Sequence, residues 1–227
     1  MFYLQYIKKI IVFIGFILSF HANAGLFEDF HQAVRFNDLR TTHDLLQRGM
    51  DPNSVSPDGV PLVLLAIQNG AVDTAKRLIA ERKFKTEVRN PQGETALMLA
   101  CLKGQLPVVE ALLARDADIN MPGWTPLHYA ATGGHEAIVA LLLDKSAYID
   151  AESPNGSTPL MMAAMYGDEP TVKLLIDSGA DLTLRNQKGL TALDFAVSAQ
   201  HPGHERLIRE AAKRLQESTA PKTPGQW

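Results

Sequence analysis

The sequence predicts an all-α repeat fold, a solenoid of about six helix–turn–helix repeats joined by hairpin-like fingers. Three observations predict it. One alanine recurs at Ala33, Ala66, Ala100, Ala130, Ala163 and Ala196, in steps of 33, 34, 30, 33 and 33 residues. An apolar pair follows each anchor by twelve and thirteen residues: Leu45-Leu46, Leu78-Ile79, Leu112-Leu113, Leu142-Leu143 and Leu175-Ile176. Only the last copy departs, with Ile208-Arg209. Third, the inner copies share a start of the Thr-Pro-Leu type and a glycine after the first helix. A fixed period near 33 residues means supersecondary units that bury their apolar faces only by stacking.

Before the repeats lies "MFYLQYIKKIIVFIGFILSFHANAG". Lys8 and Lys9 precede an apolar run from Ile10 to Phe20, and Ala22-Asn23-Ala24 follows. A basic segment, an apolar run of eleven residues and an A-x-A site make a secretory signal peptide over residues 1–24. The run is too short to span a bilayer, which takes about 20 apolar residues. Cleavage after Ala24 removes two of the 22 basic residues and none of the 25 acidic ones, leaving 20 against 25 and a formal charge of −5. That balance predicts no affinity for nucleic acid or, once the signal is removed, for membrane. The single cysteine, Cys101, cannot close an intramolecular disulfide, so the exported chain is held by its apolar core alone.

The repeat domain is expected over residues 25–216. Its first copy, "FHQAVRFNDLRTTHDLLQRGMDPN", is divergent and polar, and forms an N-terminal cap near residues 25–53. Asn37 stands where the inner copies have their helix-ending glycine. The second copy, "GVPLVLLAIQNGAVDTAKRLIAERK", is a worn version of the pattern. The third, from Gly93, reads "GETALMLACLKGQLPVVEALLARDADIN". The fourth holds "GWTPLHYAATGGHEAIVALLL", where Thr125 can cap a helix and Pro126 suits its first position. Leu127 and Ala130 share one face of that helix, Gly134 ends it, and Ile138, Val139, Leu142 and Leu143 stripe the second. The fifth is "GSTPLMMAAMYGDEPTVKLLIDSGADLT", and the sixth, "GLTALDFAVSAQ", opens a C-terminal cap near residues 189–216 with Gln200 in the glycine's place. Glu205, Arg206, Arg209, Lys213 and Arg214 make that cap polar, as a terminal repeat must be. The tail "ESTAPKTPGQW", 217–227, is expected to be disordered.

In "TPLHYAA", "TPLMMAA", "GHEAIV" and "LLIDSGADL" the chain resembles the ankyrin-repeat family. The resemblance covers residues 25–216. It implies a curved solenoid whose fingers and first helices line a concave face, and a function in protein binding. It also implies that His128 and His135 are framework residues that bond neighbouring backbone. Their counterparts in the next copy are Met161 and Asp168, which could not preserve a metal or acid–base role.

Other candidates for chemistry are weaker. "HPGHE", His201 to Glu205, lacks the helical spacing of a zinc protease, with Pro202 and Gly203 breaking a helix and Glu205 outside the pair. "DPNSVSPDG" offers Val55 and Ser56 where a calcium loop needs an oxygen ligand and a glycine, so it reads as the first finger. Cys101 reads as core, and Met98, Met161, Met162 and Met165 as core filling. No catalytic constellation is present, and neither an enzyme activity, a metal nor a cofactor is expected.

Two irregularities point to a partner site. "INMPGW" is a finger about three residues short, leaving a notch at Asn120 to Gly123. At positions that the resemblance places on the concave face stand Leu102, Trp124, Met165 and Tyr166, an apolar group rimmed by Glu94 and Lys103. Aromatic side chains anchor interfaces; the competing reading folds Trp124 over the shortened turn. The expectation is a monomeric, non-catalytic scaffold in the bacterial periplasm that binds a protein there. Two alternatives stay open: an accessory to a periplasmic enzyme, such as an oxidant-removing one, and a secreted factor that binds a host or rival protein.

Overall fold

The computed structural model describes residues 25–219. The signal peptide expected over residues 1–24, and the expected disordered tail from residue 220 on, lie outside the described residues. The chain forms two compact units that divide between Gly93 and Glu94.

The first unit carries two repeats. Helix α1 (25–35) and α2 (Leu39–Gln47) form one. Helices α3 (Leu62–Gln68) and α4 (Val72–Ile79) form the other. Asn37, between α1 and α2, takes φ 57°, so it does the work of the missing glycine. Asparagine tolerates this left-handed conformation better than most residues. Asp38 then caps α2, its carboxylate accepting from Thr41 N–H at 3.0 Å. The stretch that failed as a calcium loop is the expected finger. Val55 pairs with Pro61 in an isolated antiparallel bridge, and Asn53 Oδ1 accepts from Lys85 N–H at 2.8 Å.

The second unit carries four repeats. Its inner layer is α5 (Ala96–Leu102), α7 (Pro126–Gly133), α9 (Pro159–Tyr166) and α11 (Ala192–Ser198), each packed on the next. Its outer layer is α6 (Leu106–Leu113), α8 (Glu136–Asp144), α10 (Glu169–Asp177) and α12 (Pro202–Thr219), likewise in order. The period explains both layers. The anchors Ala100, Ala130, Ala163 and Ala196 are fully buried, because small residues let the inner helices approach closely. The first member of each apolar pair, Leu112, Leu142 and Leu175, is buried as well. Ile208 joins them, so the last copy departs from the pattern only at exposed Arg209.

Local rules set the helix ends. Thr95 and Thr158 hydroxyls accept from Met98 and Met161 N–H at 3.3 and 3.4 Å. Gly134 ends α7 at φ 66°. Gln200 ends α11 at φ 58°, as Asn37 ends α1.

Two expectations about the last repeat need correction. Pro202 does not break a helix; it opens α12, where a proline has no bond to lose. The helix also runs to Thr219, past the expected limit at residue 216. Lys213 reaches Glu217 at 3.8 Å and Ser218 Oγ donates to Leu215 O at 2.8 Å, which carries the helix on.

Candidate functional site

Most residues that suggested chemistry are absorbed by the frame. His128 is fully buried. Its Nδ1 accepts from Thr125 N–H at 3.2 Å and lies 2.9 Å from the Thr125 hydroxyl. The proton therefore belongs on Nε2, which donates to the Ser157 carbonyl at 2.9 Å. Burial pushes the His128 pKa down to about 4, against the smaller opposing effect of the bond to Ser157. The ring is neutral at pH 7. His135 Nε2 donates to the Leu102 carbonyl at 3.0 Å. Its counterpart Asp168 caps α10, accepting from Thr171 N–H at 2.9 Å.

His201 and His204 come together with Nδ1 atoms 3.2 Å apart, and His204 Nδ1 donates to Ala164 O at 3.0 Å. Among the described residues, no three His, Cys, Asp or Glu side chains gather as a metal site would require. Cys101 is fully buried, and burial pushes its thiol far above the usual range. Met98, Met161 and Met162 are buried, and Met161 Sδ accepts from Thr158 N–H at 3.4 Å.

What remains is a surface depression of about 230 Å³ in the second unit. Leu102 from α5, Trp124 from the short finger, Tyr129 and Thr132 from α7, and Met162 and Tyr166 from α9 line it, with the edge of His128. The Trp124 and His128 ring centroids are 5.2 Å apart at 78°, an edge contact. Trp124 is half-buried, while Tyr166 remains 60% exposed. Tyr129 OH donates to Glu94 Oε1 at 3.1 Å. Trp124, Met162 and Tyr166 also border a second groove of about 480 Å³, which reaches the last finger at Asn186 to Lys188.

Three of the expected residues, Leu102, Trp124 and Tyr166, thus share one depression. Glu94 adjoins it through Tyr129. Met165 is half-buried and Lys103 exposed, and neither lines it. In place of Met165 the structure brings in Met162, with Tyr129, which the sequence reading missed. Both stand directly before an anchor alanine, as does Phe195 in the second groove. Large side chains recurring at that one position were a visible signal. The short finger is tied forward as well as shortened: Asn120 Nδ2 donates to Ser146 O at 3.0 Å, and Asn120 Oδ1 accepts from Tyr148 N–H at 2.9 Å.

The arrangement of paired helices and fingers has known counterparts. The family model "Ankyrin repeats (3 copies)" matches residues 30–122 and 146–217, and "Ankyrin repeat" matches residues 122–153. The chain belongs to the ankyrin-repeat family. A rat ankyrin repeat and SAM domain-containing protein is 34% identical over 100 residues, 42% of this chain and 11% of that protein. The Notch-regulated ankyrin repeat-containing protein of Xenopus laevis is 36% identical over 89 residues, 37% of this chain and 78% of its own length. Mouse protein phosphatase 1 regulatory subunit 27 is 36% identical over 98 residues, 42% of this chain and 64% of its own length. This chain therefore spans only part of the curated relatives it matches. Among solved structures, an ankyrin repeat domain from Acinetobacter baumannii superposes with a TM-score of 0.69 at 22% identity, over 81% of this chain and 97% of that one. That likeness shows the ankyrin fold, an all-α repeat.

Proposed function

We propose that this ankyrin-repeat protein is a non-catalytic binding scaffold, exported to the bacterial periplasm, that holds a protein partner against the depression between Leu102, Trp124, Tyr129, Met162 and Tyr166. One observation carries the reading: a 60% exposed tyrosine faces solvent beside a half-buried tryptophan on one apolar surface. A folded monomer has little reason to keep such a group open to water. Large aromatics in a desolvated pocket supply much of the affinity of protein interfaces. Export rests on the basic, apolar and A-x-A order of residues 1–24.

The test is capture from a periplasmic extract, followed by affinity measurement on the captured protein. Trp124→Ala and Tyr166→Ala should each weaken binding by about 25-fold or more, corresponding to about 2 kcal/mol. Lys173→Ala, on outer helix α10 beside Asp177, should be neutral within about 0.5 kcal/mol. The reverse pattern would move the site to the outer layer. A single abundant enzyme as partner would favour the accessory role, and absence of any periplasmic partner the secreted one.

A further inference from the structure

Three aromatic side chains, Trp124, Tyr129 and Tyr166, line the one depression of about 230 Å³. That volume suits a single long side chain of a partner. Leu102 and Met162 would hold any apolar group, but the aromatics add something else. The face of an aromatic ring carries negative charge density and attracts ammonium and guanidinium groups. Glu94 strengthens that bias. Its carboxylate accepts the Tyr129 O–H at 3.1 Å, which places a negative charge one hydrogen bond from the ring that lines the site. The effect is felt at Tyr129, whose pKa rises to about 12, through burial first and the Glu94 charge second. No cation among the lining residues opposes it. His128 is neutral at pH 7, Lys103 does not line the depression, and Lys188 borders only the neighbouring groove.

Resting on the use of this surface for a partner, we infer that the depression receives a lysine or arginine side chain of that partner, held among Trp124, Tyr129 and Tyr166 with Glu94 as the opposing charge. The apolar walls take the methylene stem and the ring faces take the charged head. Thr132 is the only other polar side chain of the lining besides His128.

Titration of the purified protein with n-butylguanidinium, and separately with n-butylurea, tests this. The two probes have nearly the same shape and differ in charge. The readout is the indole N–H resonance of Trp124, assigned by its loss in Trp124→Leu. The guanidinium should bind about fivefold or more tightly than the urea. Tyr166→Leu, which keeps apolar surface, should abolish most of that preference. Glu94→Gln should lower guanidinium affinity about threefold and leave butylurea unchanged. Equal binding of the two probes, or no response of Trp124 to either, would overturn the inference. So would an undiminished preference in Tyr166→Leu. These results are separable from the partner reading. Trp124→Ala that loses the captured partner, alongside equal probe binding, removes the cation and leaves the docking surface.

Discussion

His128 Nε2 donates to the Ser157 carbonyl at 2.9 Å, so a fully buried ring in one repeat bonds the finger of the next. The bond needs the neutral ring only in its Nε2–H form, because Nδ1 is occupied by Thr125 N–H. A second proton would have to displace that donor inside the core.

This makes stability depend on pH. The His128 pKa is about 4 in the folded chain against an ordinary 6.5. Between those values the unfolded chain binds the proton and the folded chain does not, so stability rises with pH. The contribution is fully present above 6.5 and is lost as pH falls toward and below about 4. From about pH 7.5 to about pH 4.5 the loss should be about 2–3 kcal/mol. His128→Met isolates it, since Met98 and Met161 hold this place in neighbouring copies. At pH 7 that variant should be about 1–3 kcal/mol less stable, leaving the Ser157 carbonyl without its donor. Its stability should change less over the same interval. Denaturant melts at both pH values check this; equal slopes for the two proteins would remove His128 as the source.

Gly167→Ala should destabilise the second unit, although the extended backbone just after α9 at Gly167 is one that alanine adopts without strain. A Cβ on Gly167 would lie 2.6 Å from the Ala131 carbonyl oxygen and 2.9 Å from that of Ala163. Both are backbone atoms, which cannot swing aside as a side chain can. The cost should be about 1–3 kcal/mol, read from thermal or urea melting. An unchanged melt would mean that α7 and α9 are not in this close contact.

Leu142 is fully buried in α8. Leu142→Ala should cost about 2–5 kcal/mol by loss of packing and formation of a cavity. In a repeat array each unit leans on its neighbours, so amide exchange should quicken in α6, α8 and α10 together. Protection lost in α8 alone would show weaker coupling between the outer helices than their packing implies.

Processing is expected after Ala24. Intact mass of the exported protein should correspond to a chain that begins at Gly25. A membrane-retained product still carrying Met1 would refute export by signal cleavage.

The repeat frame was legible in the sequence because each repeat is a local unit whose contacts lie one period away. The step of about 33 residues therefore located Ala130, Leu142 and Leu175 in the core without coordinates. The framework roles of His128 and His135 followed from that register and its family resemblance. The site was legible only in part. Leu102, Trp124 and Tyr166 converge, but Met162 takes the place of Met165 in the lining and Tyr129 joins it. Sequence position fixes which turn of a helix a residue occupies; rotamers and the adjacent helices decide what it lines. Three helix ends were decided in the same way. Asn37 and Gln200 take the left-handed turn without glycine, and Pro202 opens a helix it was expected to break. Local propensity sets only the cost of such conformations, whereas packing of the flanking helices decides whether the chain adopts them.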